Sequence, residues 1–196
     1  MYKREDTFYK RAKKEGYPSR AVYKLKELAK KYAIVGKGDR VLDLGCAPGG
    51  WSQVALEIVG SQGKVVGVDI TEMKGFQRQN FRFVQGDIRD DMTLKRAMEA
   101  LKGPCDAVLS DLSPHLTGIK PKDEAQAAEL FATAWSCARK TLRPGGNILM
   151  KLFPGPEADS LAKEIRPTFR EVTLTRPGAT RKASSELYLI GKGFRG

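Results

Sequence analysis

Three charged residues interrupt or bound apolar runs in this chain. Lys151 breaks into ILMKLF, Asp111 closes DAVLSD, and Glu186 opens ELYL. A lysine within a buried strand is costly unless it is paired, and Asp111, ending the strand before it, supplies a counter-charge. One reading is an ion pair that serves structure alone. The other is a proton-handling pair, because the ends of parallel strands are where an open sheet binds its ligands.

A further stretch points to what such a sheet could bind. VLDLGCAPGGWSQ, residues 41–53, is an apolar run that ends in an acid and then breaks into glycines. Glycine lets backbone approach a ligand with no Cβ in the way. A dinucleotide loop spaces its glycines G-x-G-x-x-G and rests a pyrophosphate on bare helix N–H groups. Here the order is Gly45-Cys46-Ala47-Pro48-Gly49-Gly50, with proline where that turn needs a donor and bulky Trp51 where it prefers a small residue. Asp69, ending KVVGVD, suits both hydroxyls of a ribose. Asp87, in QGD, suits the exocyclic amine of an adenine, since an ionised carboxylate only accepts. A glycine turn between strand and helix is often structural alone. With both acids in register, the pattern points to S-adenosylmethionine rather than NAD.

The elements that must position these residues follow from periodicity. Apolar residues at helical spacing predict a helix over 19–33, with further helices near 50–59, 91–102, 123–142 and 157–166. Strands are expected at 40–45, 64–69, 81–85, 106–111, 147–153, 170–176 and 186–193, with RPGG as a break before the fifth. Near-continuous apolar strands alternating with helices imply a buried parallel sheet in an α/β fold. Only nine residues, PGATRKASS, join the last two strands, too few for a helical crossover. The expected fold is therefore a seven-stranded, mostly parallel sheet with a C-terminal antiparallel hairpin, the Rossmann-like layout of class I S-adenosylmethionine-dependent methyltransferases.

The net charge of +12 is unevenly placed. Residues 1–40 carry thirteen Lys/Arg against five Asp/Glu, residues 163–196 eight against three, and residues 41–162 fourteen against fifteen. Basic ends around a neutral centre suggest a polyanion held by the flanks, although a solvated lysine-rich surface gives the same count. The expected division is a basic, helical, RNA-binding extension over 1–36 and a catalytic domain over 37–196. Tyr17, Arg20 and Tyr23 are candidates for stacking and phosphate contact, or for core. The single histidine and three scattered cysteines make a metal site improbable. The polar N-terminus and the absence of a long apolar run give the expectation of a cytoplasmic protein with no membrane partner; a monomer with no DNA partner is expected as well.

From about residue 17 to its end, the chain resembles the FtsJ/RrmJ family of ribosomal RNA ribose 2′-O-methyltransferases. SRAVYKL, LDLGCAPGGWSQ, SDLSP, KLFPG and SSELYL stand in the family's order. The resemblance implies a catalytic set of Lys24, Asp111, Lys151 and Glu186, and cofactor contacts at Gly49, Trp51, Asp69, Asp87 and Asp111. It further implies methyl transfer to a ribose 2′-hydroxyl, of a uridine in 23S RNA of the large ribosomal subunit. Transfer RNA, an RNA cap, or RNA binding without catalysis are the alternatives. His115 stands where relatives usually have asparagine, and Ser185 precedes the glutamate where the most familiar bacterial member is arginine-rich; both bear on target choice. Apart from the resemblance, Lys24 reads as an ordinary helix lysine. The hydroxyl must lose a proton as the methyl arrives, which gives Lys151 the role of base and Asp111 that of orienting it. Lys24 and Glu186 are then expected to position the ribose and to fix the pattern of protonation.

Overall fold

The structure, a computed structural model, describes residues 7–73, 76, 78–114, 117–180 and 186–196. His115 and Ser185 lie outside the described residues. Seven strands form one sheet: β1 (Arg40–Leu44), β2 (Lys64–Asp69), β3 (Phe81–Gln85), β4 (Cys105–Ser110), β5 (Leu142–Leu152), β6 (Phe169–Thr175) and β7 (Leu187–Phe194). Their order is β3-β2-β1-β4-β5-β7-β6. Strands β1 to β5 pair in parallel, and β7 runs antiparallel to both β5 and β6. The expected α/β sheet with its terminal hairpin is thus present, the hairpin forming one edge with β7 between β5 and β6.

Strand residues alternate between the two faces, and both faces are covered. Leu42, Leu44, Val66 and Val108 pack against α4 (Asp91–Leu101), α5 (Lys120–Thr141) and α6 (Pro156–Ile165). Val41, Val65, Leu149 and Tyr188 pack against α2 (Val22–Tyr32) and α3 (Gly50–Val59). This double burial is why the strands read as continuous apolar runs. Helix α2 belongs to that core, with Val22, Leu25 and Leu28 almost fully buried, so residues on both sides of position 36 share one apolar cluster. A short helix, α1 (Thr7–Lys14), precedes it.

Several boundaries differ from expectation, α2 among them, which starts at Val22 rather than 19, and two of the shifts have a visible cause. Helix α5 starts at Lys120, because the Asp123 carboxylate accepts from the backbone N–H groups of Thr117 and Gly118 at 2.7 and 3.1 Å and secures the turn ahead of the helix. Strand β5 starts at Leu142 and carries RPGG within it. Leu142 pairs with Cys105 and Asn147 with Ala107, so a bulge takes up the extra residues that the sequence suggests as a break. No described helix is long and apolar enough to cross a membrane.

Candidate active site

Strand order reverses at β1, whose neighbours are β2 on one side and β4 on the other. The carboxyl ends of strands at such a reversal form a crevice, and the four residues of the implied catalytic set converge beside it. Lys151 lies on β5, Asp111 directly follows β4, Glu186 directly precedes β7, and Lys24 sits in the first turn of α2. Register explains the convergence: Lys151 pairs with Tyr188 across β5 and β7, so both side chains face α2.

Lys151 Nζ lies 3.5 Å from Asp111 Oδ1 and 3.3 Å from Glu186 Oε2. It donates to Ser113 Oγ at 2.8 Å. The other oxygen of Glu186, Oε1, forms an ion pair with Lys24 Nζ. Glu186 therefore joins the two lysines. Burial pushes its carboxyl up, but hydrogen bonds and charge from Lys24 and Lys151 outweigh that and hold it below the usual carboxylate range.

Sequence reasoning missed two members of this cluster. Tyr188 is fully buried, and its hydroxyl donates to Asp111 Oδ1 at 2.8 Å. Burial, together with Asp111 and Glu186, drives its pKa far up, so it remains a neutral donor. Its position two residues beyond Glu186 on a strand put it on the same face, a signal present in SSELYL but hidden among apolar neighbours. Ser113, in SDLSP, is the second; a serine in a loop carries no signal of its own.

Beside the cluster lies a cleft of about 300 Å³ whose wall includes Gly45, Asp69, Asp87, Ile88, Leu112 and Ser113. Gly45 has φ +75°, and a Cβ there would stand 2.5 Å from Leu112 Cδ2, so strand end and wall touch only because the residue is glycine. The two oxygens of Asp69 accept from the N–H groups of Ala47 and Thr71 at 2.9 and 2.8 Å, fixing the carboxylate across the glycine turn. Arg89 closes on Asp87 through both carboxylate oxygens and holds that carboxyl below its ordinary value.

Gly49 and Trp51 take other places. Gly49, φ +102°, is the N-cap of α3. The Trp51 indole is buried, donates from Nε1 to the Ala21 carbonyl at 2.9 Å, and packs with its centroid 5.9 Å from the Tyr188 ring. Trp51 thus braces α2 against the tyrosine that holds Asp111. Its side chain is not part of the cleft wall. Beneath the turn, Asp43 is 1% exposed, accepts from Ser52 Oγ at 2.7 Å, and has its other oxygen buried without a partner among the described residues. Burial raises its pKa to about 7, with Asp111 and Asp69 adding to the rise and Ser52 opposing it.

The family described as FtsJ-like methyltransferase matches residues 17–194. The chain belongs to that family. It is 46% identical over 194 residues to a ribosomal RNA large subunit methyltransferase E of Methanothermobacter thermautotrophicus, covering 99% of this chain and 92% of that protein. It is 45% identical to the protein of the same name from Syntrophobacter fumaroxidans, covering 99% and 98%. Among solved structures, a protein of Plasmodium falciparum assigned as a ribosomal RNA methyltransferase superposes with a TM-score of 0.81 at 32% identity, over 92% of this chain and all of that one.

In this FtsJ-like methyltransferase, the aromatic residues around α2 are engaged within the chain. Tyr17 donates to Glu57 Oε1 at 2.6 Å. Tyr23 is 7% exposed and donates to Glu15 at 3.1 Å, while its ring packs 5.4 Å from that of Phe8. Arg20 lies over the Phe8 ring and donates to the Ala179 carbonyl. Of these three candidates for RNA contact or for core, Arg20 and Tyr23 tie α1 and the loop near Ala179 to the start of α2, and Tyr17 ties the segment ahead of α2 to α3.

Proposed function

We propose that this protein transfers a methyl group from S-adenosylmethionine to a ribose 2′-hydroxyl of 23S RNA in the large ribosomal subunit. The observation that carries the reading is the placement of Lys151 Nζ, shared among Asp111, Glu186 and Ser113, the last of which lines the cleft. The names of the relatives favour large-subunit RNA as substrate over transfer RNA.

The residues present fit the cofactor. The cleft offers apolar wall at Ile88 and Leu112 with the acceptors Asp69 and Asp87 also lining it, and its first turn is glycine where a side chain has no room. Asp69 and Asp87 are the groups to hold ribose and adenine. Asp111, with backbone near Gly49 and Trp51, is assigned to the methionine end. When bound, S-adenosylmethionine supplies an electrophilic methyl on a positively charged sulfur.

The chain's own residues handle the proton and the ribose. Lys151 takes the role of base, accepting the proton that the 2′-hydroxyl releases as its oxygen bonds to carbon. Asp111, aligned by Tyr188, orients the Lys151 side chain and pairs with its ammonium once formed. Lys24 and Glu186 hold the ribose and keep the hydroxyl at attack distance, where much of the rate originates. The demand for a 2′-hydroxyl selects RNA over DNA.

The test is methyl transfer from labelled S-adenosylmethionine to large subunits, naked ribosomal RNA and transfer RNA from a strain lacking the activity. Wild type and Lys151→Ala are compared, with the label mapped by nuclease digestion. Label on a ribose oxygen of 23S RNA, lost in the variant while cofactor affinity persists, is expected. Label in transfer RNA would overturn the substrate, and an active Lys151→Ala would overturn the base.

A further inference from the structure

Helix α1, at Thr7–Lys14, lies ahead of the segment matched by the family, which begins at residue 17. Its inner side is accounted for. Ala12 is 1% exposed, Phe8 packs on Tyr23, Arg11 lies over the Tyr23 ring, and Glu15 just beyond the helix accepts from the Tyr23 hydroxyl. Tyr23 is the neighbour of Lys24, so these contacts dock α1 beside the catalytic rim.

The outer side is different. At 100° per residue, Lys10, Lys13 and Lys14 lie on the arc away from Phe8 and Ala12, and Tyr9 stands on its flank, about 40° from Lys13. All four are exposed, and Tyr9 is among the few large exposed hydrophobics of the chain at 56%. Tyr9 and Lys13 are one turn apart, and the first turn of the helix carries no acid. Among the described residues, neither Lys13 nor Lys14 has an ion-pair partner. An aromatic ring set beside Lys13 and Lys14 matches a strand that offers phosphates and unpaired bases. A lipid surface would need the apolar side of the helix, and that side is already spent on Phe8 and Ala12.

We propose that the outer face of α1 is a docking surface for a single-stranded RNA segment flanking the target nucleotide. Tyr9 stacks on an unpaired base, and Lys13 and Lys14 contact the backbone phosphates. The proposal rests on the reading that the substrate is RNA. Because α1 abuts Tyr23, a strand leaving the Lys24 side of the active site passes over it.

The experiment measures binding of a labelled 23S RNA fragment by the full chain over a range of salt, and methyl transfer to large subunits alongside. The variants are Tyr9→Ala, Tyr9→Phe and Lys13→Gln/Lys14→Gln, each checked by thermal melting. Loss of two phosphate contacts should reduce the steepness of log K against log salt by about 1.4, at about 0.7 per contact for single strands. Tyr9→Ala should weaken binding roughly five- to hundredfold, the range of one stacked base, and Tyr9→Phe should restore it. KM for large subunits should rise with little change in kcat. An unchanged salt slope, or a Tyr9→Ala affinity within twofold of wild type, overturns the docking surface. Equal loss in Tyr9→Ala and Tyr9→Phe overturns the stacking. A wild-type chain that binds cofactor but neither binds nor methylates RNA overturns the proposed function instead, so the two failures are distinct.

Discussion

Asp43 is a carboxyl that folding places where its charge is costly, and this has a measurable consequence. It is 1% exposed, one oxygen accepts from Ser52, and the other has no partner among the described residues. Its pKa rises from an ordinary 3.8 to about 7, chiefly through burial. Folding raises the value, so the folded chain holds a proton that the unfolded chain releases. The stabilisation is complete below about pH 4 and is lost as pH climbs through about 7. A gap of about three units is worth at most about 4 kcal/mol. Asp43→Asn removes the titration while keeping an acceptor for Ser52. Urea unfolding of both proteins between pH 4.5 and 8.5 checks this. The wild type should lose stability relative to the variant as pH rises, by about 1.4 kcal/mol per unit at the steepest, and the difference should level off above pH 8. Other titrating groups are common to both and cancel. Any fixed cost of burying the amide moves the offset and leaves the slope. Ser52→Ala, which removes the opposing hydrogen bond, should move the midpoint of this loss upward. Parallel profiles for wild type and Asp43→Asn would refute the reasoning.

Two further outcomes follow from the site. Tyr188→Phe deletes the donor to Asp111 and keeps the ring on Trp51. Because Asp111 is partly open to water that can replace the donor, kcat should fall only roughly two- to tenfold, the worth of one net hydrogen bond, with cofactor affinity unchanged in an equilibrium binding assay. Gly45→Ala places a Cβ 2.5 Å from Leu112 at φ +75°. It should cost on the order of 2–4 kcal/mol in denaturant unfolding through strain and overpacking, and weaken cofactor binding. Pairing it with Leu112→Ala should recover part of the affinity, because room returns although the backbone strain stays.

Much of the architecture was legible because strand burial on two faces leaves a one-dimensional trace. β2 and β3 fall at the expected 64–69 and 81–85, and the short link between the last two strands forced an antiparallel pairing. What the sequence did not show lies where contacts are distant in the chain. The extent of β5 depends on a bulge against β4, and the start of α5 depends on Asp123 reaching back to Thr117. The proposed catalytic set was legible as residue types, with Lys151 conspicuous because a charge inside an apolar strand demands a partner. Lys24 was not: by spacing alone it is one lysine of an amphipathic helix, and its role came from family resemblance.

The sequence by itself determined the fold class, the glycine turn, the acids at the strand ends and the demand for a partner at Lys151, all of which are local patterns of type and period. The tertiary structure decided which groups meet. It showed Glu186 between two lysines, Tyr188 and Ser113 as added partners, Trp51 as a brace of α2, and Tyr17, Arg20 and Tyr23 tied to partners within the chain. The physical reason is that hydrogen bonds and ion pairs act over about 3 Å. Residues as far apart in the chain as Lys24 and Glu186 come within that reach only once α2 and β7 pack on the same face of the sheet.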